Sequence, residues 1–439
     1  MPALGNGINL TKRGKNFMIV KKDCYKMNPI EKLQTVLKEM EGNKTQYVTK
    51  PEKDFTRNRK VTFYDMMWFM LFIGVNSMSE EIRRAFNDKA FSYISEAAII
   101  KSRSKIRVSA FEHLFHKFND TLENAKEYKS YRVLAVDGSD FSSLYNAQSE
   151  YATISNQYGG ANRMHVNFAY DILNKNFLDC VIEAKNKADE RKGAVKMLSS
   201  LCESEKILAI MDRGYDGLKV FEHCNRIKNL SYLIRIRSGM TKEIKSLPDK
   251  ELDLDLNFEV STLSKRLPYR MKIQAWDMEL PCIVSFRLVK VKLKDKWLVM
   301  ATNLPRSDFS ARKLKTLYEK RWKIELAFRD IKHALGALHF HSKKDLFNLQ
   351  EFFAHLIRYN LTSRIICQIR LPKPKNLKYR YEVNFKNATQ IVQDYCRGAL
   401  NYKKILNQII HYVHPLRANR LFQRNCRYIY PVSFNYRVA

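Results

Sequence analysis

Three acidic residues stand where a folded chain could bring them together. Asp137 closes the apolar run Val133–Val136 and is followed by Gly138 and Ser139, while Asp212 closes Ile207–Met211 and is followed by Arg213, Gly214 and Tyr215. A carboxylate leaving the carboxyl end of an apolar strand is held rigidly at the sheet edge, where open α/β sheets bind their ligands. Taken singly, each also fits an ordinary helix cap. The third acid, Glu325, lies in a helix predicted over Ser310 to Leu335. At about 100° per residue, Tyr318, Arg321, Glu325 and Lys332 share one narrow face. Leu317, Ile324, Phe328, Ile331 and Leu335 form the adjoining apolar stripe that must press on a core. Glu325 is thereby brought against a sheet and not aimed at bulk water. A plain i,i+4 salt-bridge helix would account for Arg321 and Glu325 but gives no reason for Tyr318 or Lys332.

Such residues need a sheet and a helix to hold them. From Lys50 to about Tyr128 the periodicity is helical, with Phe111, Leu114, Phe115 and Phe118 on one stripe. Just upstream, Lys101, Arg103, Lys105 and Arg107 set cations beside that stripe, where they would meet phosphates or simply form a solvated basic face. The next segments predict strands at Arg132–Val136, His165–Ile172, Phe177–Ala184 and Ile207–Met211, and helices at Lys187–Leu201 and Asp216–Lys228. Strands first in hairpin order and then alternating with helices indicate an α/β fold with a mixed sheet. After Ile236 short alternating runs, at Met271–Trp276 and Cys282–Val291, interrupt that alternation until Trp297–Thr302 resumes it. A further helix is expected at Leu349–Gln368. The resulting expectation is an N-terminal extension (1–49), a helical DNA-binding region (50–128), the first part of an α/β core (129–236), a β-rich insertion (237–296), the second part of the core (297–369) and a basic C-terminal segment (370–439).

Composition narrows the partner. The 439 residues carry 78 Lys and Arg against 45 Asp and Glu, a formal net charge of +33, far beyond what solubility requires and natural for a chain that meets a polyanion. The last 70 residues hold 14 Lys or Arg against Glu382 and Asp394 alone, which predicts a tail that touches DNA or stays partly mobile until it does. Met1 to Asn16 lacks the pattern of a signal peptide, and the apolar stretch Met66–Val75 is too short to span a bilayer and reads as a buried helix. The eight cysteines include no C-x-x-C pair, which argues against a zinc module or a disulfide framework. A reducing cytoplasm, with no membrane partner, is the expected location.

Taken together, Asp137 in V-D-G-S, Asp212 in M-D-R-G-Y, and Glu325 in Tyr318-x2-Arg321-x3-Glu325-x6-Lys332 resemble the DDE transposases of bacterial insertion sequences, in the branch with a Y-R-E-K signature (insertion sequence family four). Phe55-x-Arg57-x-Arg59-Lys60-x-Thr62-Phe63, Ala301-Thr302-Asn303-Leu304 and Phe340-His341-Ser342 are similar to further motifs of that family. The resemblance implies an RNase H-like catalytic core interrupted by a β insertion before its last acidic helix, with an N-terminal helical domain. It implies that Asp137, Asp212 and Glu325 hold two Mg²⁺ ions, with Mn²⁺ able to substitute. Hard cations that retain water prefer carboxylate oxygens, and a metal pair serves phosphodiester hydrolysis and transesterification. Tyr318, Arg321 and Lys332 are implied to grip DNA phosphates near the transposon end. Trp297 is a candidate to receive a base pulled from the stack, though core packing suits it equally, and the same holds for Trp322. Glu190 and Arg191 are similar to an acidic and basic pair of the family, and also fit an ordinary surface role. The implied partners are terminal inverted repeats and target DNA, engaged by a homodimer. A metal nuclease of the same fold, or a DNA-binding protein descended from a transposase, remain alternatives.

Overall fold

The computed structural model describes residues 28–57, 59–74, 76–86, 94–154, 160–261, 280–293, 296–338, 340, 342–369, 371, 379–397 and 402–416. The alternating run expected at 271–276, His341, and parts of both termini (1–27 and 417–439) lie outside them. The chain forms two compact units, one of residues 124–329 with 338–345, the other of residues 1–123, 330–337 and 346–439.

In the second of these units the amino-terminal part is helical: α1 (Pro29–Gly42), α2 (Phe63–Phe72), α3 (Met78–Ala85), α4 (Glu96–Arg103) and α5 (Val108–Asp120). Local chemistry starts two of them. Asn28 and Glu31 close a capping box at α1, and Thr62 and Asp65 another at α2, so each satisfies orphan amides reciprocally. The apolar stretch seen from Met66 is indeed a helix, α2, and is buried along most of its length. Phe111, Leu114, Phe115 and Phe118 of α5 are fully buried. One member of the basic row departs from expectation. Arg103 turns inward, its guanidinium donating to Phe347 O at 2.6 Å and Gln350 Oε1 at 2.9 Å, so it serves the core and not a surface.

The other unit is built on one mixed sheet. Its strands are β1 (Arg132–Ser143), β2 (Ala152–Ile154), β3 (Gly160–Asp171), β4 (Asn176–Ala184), β5 (Ile207–Met211), β6 (Leu230–Arg235), β7 (Leu252–Val260), β8 (Cys282–Leu293) and β9 (Lys296–Thr302). The order is β2-β3-β1-β5-β6-β9-β8-β7, with β4 also on β3. β1, β5 and β6 run parallel, and every other pairing is antiparallel. β5 is buried at all five positions, as expected of a parallel strand covered on both faces. Helices α6 (Glu190–Leu201), α7 (Leu218–Arg226) and the short α8 (Lys242–Lys245) connect these strands. The strands of the segment 237–296, β7 and β8, do not stand apart but extend the main sheet through β9.

Two expectations are corrected. The first apolar strand does not end at Val136: β1 continues to Ser143, because the polar stretch after Asp137 still pairs residue for residue with β3. The long helix expected over Ser310 to Leu335 is not uniformly α. It comprises α9 (Ala311–Glu319), a 3-10 turn (Lys320–Trp322), α10 (Lys323–Arg329) and a π turn (Asp330–Ala334). A 3-10 turn is tighter and a π turn wider than an α turn, so a wheel drawn at constant pitch does not describe the whole stretch.

The helical unit resumes with α11 (Asp345–Cys367), covering the predicted Leu349–Gln368, then α12 (Phe385–Cys396) and α13 (Tyr402–His411). The basic C-terminal segment thus contains these last two helices, flanked by β10 (Arg380–Val383) and β11 (Val413–Leu416), which pair as a two-stranded antiparallel sheet. Among the described residues no helix is long and apolar enough to cross a membrane.

Candidate active site

The parallel register brings the first two acids together. Pairing of β1 with β5 ends at Val136 opposite Met211, so Asp137 and Asp212 are the next residue on each of two adjacent parallel strands. Beyond that point β5 stops while β1 runs on beside β3. Each aspartate folds back onto a nearby amide: Gly138 N donates to Asp137 Oδ1 at 2.9 Å, and Gly214 N to Asp212 Oδ1 at 2.7 Å.

Aromatic packing brings the third. Asp137 stands opposite Phe168 in the β1–β3 register, so the two side chains share a face of the sheet. The Phe168 ring lies 5.2 Å from that of Phe328, which also stacks on Phe177 at 6.3 Å. With Ile324 and Ala327, Phe328 forms the buried stripe of α10. That stripe presses α10 onto the face carrying Asp137 and fixes Glu325, three residues before Phe328.

Arg321 joins the two sides. Its guanidinium donates to Asp137 Oδ2 and to Glu325 Oε1, each at 3.1 Å, and the residue is only 8% exposed. Burial pushes the Asp137 carboxyl up to about 6; Arg321 opposes that rise, and the negative charges of Asp212 and Glu325 add to it.

The other expected residues fall as follows. Tyr318, half-buried at the end of α9, has its ring 5.9 Å from the Arg321 guanidinium carbon. Trp297 lies near the start of β9, and because β9 runs antiparallel to β6, this end is at the same sheet edge as Asp137 and Asp212. β6 intervenes between β9 and β5, and the Trp297 ring carries the Lys290 ammonium 5.1 Å from its centre. Trp322 is 52% exposed. Lys332 lies in the π turn, which belongs to the helical unit.

A second group of charges borders the site and was not assembled by sequence reasoning. His165, opposite Asp140 in the β1–β3 register, is buried, with Asp140 Oδ1 at 2.6 Å from Nδ1 and Glu190 Oε1 at 3.1 Å from Nε2. The second contact is poorly aligned for a directed hydrogen bond and is an ion pair. Burial alone would lower the imidazole, but the two carboxylates outweigh it and hold His165 up at about 9. Lys185 Nζ completes the group, 3.0 Å from Asp140 Oδ1. Asn167 ties this side to the D-R-G-Y turn: it accepts from Tyr215 Oη at 2.8 Å and donates to the Glu190 carbonyl at 3.1 Å. Arg191 Nε reaches Gly214 O at 2.8 Å. The one sequence signal for this group was the Glu190-Arg191 pair.

Comparison with known proteins gives the family of the chain. A family model described as the transposase DDE domain matches residues 128–361. That is more than half of the chain, which belongs to this family. Among solved structures, the cryo-EM structure of the piggyBac transposase synaptic complex with hairpin DNA is similar, at 9% identity over 90% of this chain and 84% of that chain, with a TM-score of 0.46. No curated protein matches the sequence.

Members of the DDE family use divalent metal ions. Among the described residues no three His, Cys, Asp or Glu side chains are grouped so as to hold one ion directly; the two acids nearest Arg321 are tied to its guanidinium instead. The donor chemistry nevertheless fits: carboxylate oxygens borne by β1, by the residue that follows β5 and by a facing helix.

Proposed function

We propose that this chain is a cut-and-paste DNA transposase of the Y-R-E-K branch, akin to insertion sequence family four, with an RNase H-like core. The observation that carries the proposal is the register that sets Asp137 beside Asp212, together with the Arg321 bridge that links Glu325 to Asp137. Asp137, Asp212 and Glu325 would hold two Mg²⁺ ions, or Mn²⁺ in their place. When bound, these would supply activation of the attacking water and neutralisation of charge at the leaving 3′ oxygen.

The protein's own groups do the rest. Pairing of β1 with β3 fixes Asp137 and the end of β5 fixes Asp212, so no rearrangement of the sheet is needed at the moment of reaction. Tyr318, Arg321 and Lys332 grip phosphates of the transposon end, Arg321 exchanging a carboxylate for a phosphate oxygen. No covalent protein nucleophile takes part. The freed 3′ hydroxyl attacks the opposite strand, giving a hairpin end and releasing the flanking DNA; water then opens the hairpin and restores the 3′ hydroxyl, which attacks target DNA, and Trp297 receives the base displaced when the hairpin forms. The helical region 50–128 and the basic segment 370–439 contact DNA, and a homodimer joins two terminal inverted repeats. Incubating the purified protein and Mg²⁺ with donor DNA carrying paired inverted repeats tests this. Hairpin ends and joined products are expected; nicks without either would establish a nuclease instead.

A further inference from the structure

The turn that leads into α2 borders a cavity of about 470 Å³ within the helical unit. Among the described residues it is lined by four cations, Lys53, Arg57, Arg59 and Lys105, against one acid, Glu52, with the hydroxyls of Thr56 and Ser102 beside them. Lys105 is already answered: its ammonium lies 3.8 Å from Asp54 Oδ1 and 5.6 Å from the centre of the Phe55 ring. Lys53, Arg57 and Arg59 are exposed and, among the described residues, have no ion-pair partner. Arg83 and Arg84 of α3, also exposed, are by contrast both bonded to Glu80. Unpaired cations gathered around a concave wall that is partly apolar focus their field on whatever enters.

The turn itself is held from several directions. Asp54 is buried; its Oδ2 accepts from Lys50 N at 2.9 Å, and its amide donates to Lys50 O at 2.8 Å. Thr49 donates to Lys105 O, from its amide at 2.8 Å and from its hydroxyl at 3.1 Å, which ties the turn to the junction of α4 and α5. The Phe55 ring meets Phe63 of α2 edge-on at 5.8 Å. Phe55 has a φ of 58°, a left-handed conformation that costs a bulky residue free energy and persists only where its surroundings fix it. A turn so fixed gives the guanidiniums that follow it a preset base, and preset donors lose less freedom when they meet a ligand.

We infer that this cavity receives a phosphodiester of the DNA backbone, with Arg57 and Arg59 donating to its oxygens and Lys53 adding charge. Guanidinium forks suit phosphate oxygens, and a contact to phosphate positions the duplex without reading its bases. This rests on the reading of the chain as a DNA transposase and assigns one contact within region 50–128. The test is binding of the full chain to two labelled duplexes, the terminal repeat and a shuffled sequence, by fluorescence anisotropy in EDTA over a series of salt concentrations. Arg57→Gln with Arg59→Gln is expected to weaken both duplexes alike, on the order of tenfold at moderate salt, and to lower the slope of log affinity against log salt by about two. Either substitution alone should lower that slope by about one. Arg83→Gln with Arg84→Gln removes the same charge and should leave the slope parental; thermal melting checks that each variant is folded. Parental affinity and slope in the Arg57 and Arg59 variants, an equal loss in the Arg83 and Arg84 variant, or a loss confined to the terminal repeat would overturn the inference alone. Failure of the parent to bind either duplex would overturn the DNA reading and this inference with it.

Discussion

Arg364 in the helical unit is a buried charge and Asp137 in the sheet unit a half-buried one, and their partners differ in kind. Arg364 donates to Phe118 O at 2.8 Å, Thr121 Oγ1 at 3.1 Å and Asn119 Oδ1 at 3.1 Å. Arg397 likewise donates to Phe72 O at 2.6 Å and pairs with Glu81 at 2.5 Å. Most of these acceptors are backbone carbonyls or short side chains that cannot leave. Asp137 instead has one fixed amide and one end of a long guanidinium shared with Glu325. A charge surrounded by fixed acceptors fastens a fold. One whose partner is divided and can swing away is suited to exchanging that partner for a ligand.

That contrast can be broken most decisively at the acids. Asp137→Asn or Asp212→Asn should lower strand cleavage by at least about three orders of magnitude, measured as nicked donor DNA per folded molecule; near-parental cleavage would remove these residues from the chemistry. In the helical unit the effect should move to stability. Arg364→Ala removes several buried hydrogen bonds and the guanidinium packed 4.1 Å from the Phe118 ring centre and should cost roughly 3 kcal/mol, seen as a lower urea midpoint, and an unchanged midpoint would erase the distinction drawn here. The metal-free protein offers a finer test. Because Asp137 titrates near 6, well above its ordinary value, its ionised form opposes folding at neutral pH. Asp137→Asn should therefore raise the metal-free Tm by roughly 2–4 °C while abolishing cleavage, a gain that Asp→Asn at an ordinary structural ion pair would not give.

The smallest effect is expected from pH. His165 titrates at about 9 when folded and near 6.5 when unfolded. Its stabilising contribution is complete below about pH 6.5 and is lost as pH rises through 9. The unfolding free energy should fall between pH 7 and 10 by less in His165→Gln than in the parent, a difference on the order of 1 kcal/mol; parallel curves would show that the buried imidazole is not charged.

The strands carrying Asp137 and Asp212 were legible because each acid follows an apolar run of only four or five residues, Val133–Val136 and Ile207–Met211, a length that suits a strand and not a helix. That Asp137 lies within a strand was not legible. The stretch Gly138-Ser139-Asp140 has no apolar face, and it is held by pairing with β3, a long-range contact that local pattern does not encode. The face bearing Arg321 and Glu325 was legible from helical spacing, whereas the change of winding at Lys320–Trp322 was invisible to a wheel of constant pitch. His165, Asp140 and Glu190 come from separate segments and meet through the hairpin register and the start of α6. No spacing in the chain announces that meeting. The strand at Cys282–Val291 was likewise evident, while its place in the sheet, through β9, was not.

β1 passes straight through Asp137 and continues clamped to β3 for six more residues. A carboxylate at a loose strand terminus could retreat from repelling neighbours, but one set in mid-ladder has no slack, and moving it would tear backbone bonds on both sides. The sheet therefore behaves as an anvil. The stretch that carries Glu325 is of another kind, its winding changing three times between Ala311 and Ala334.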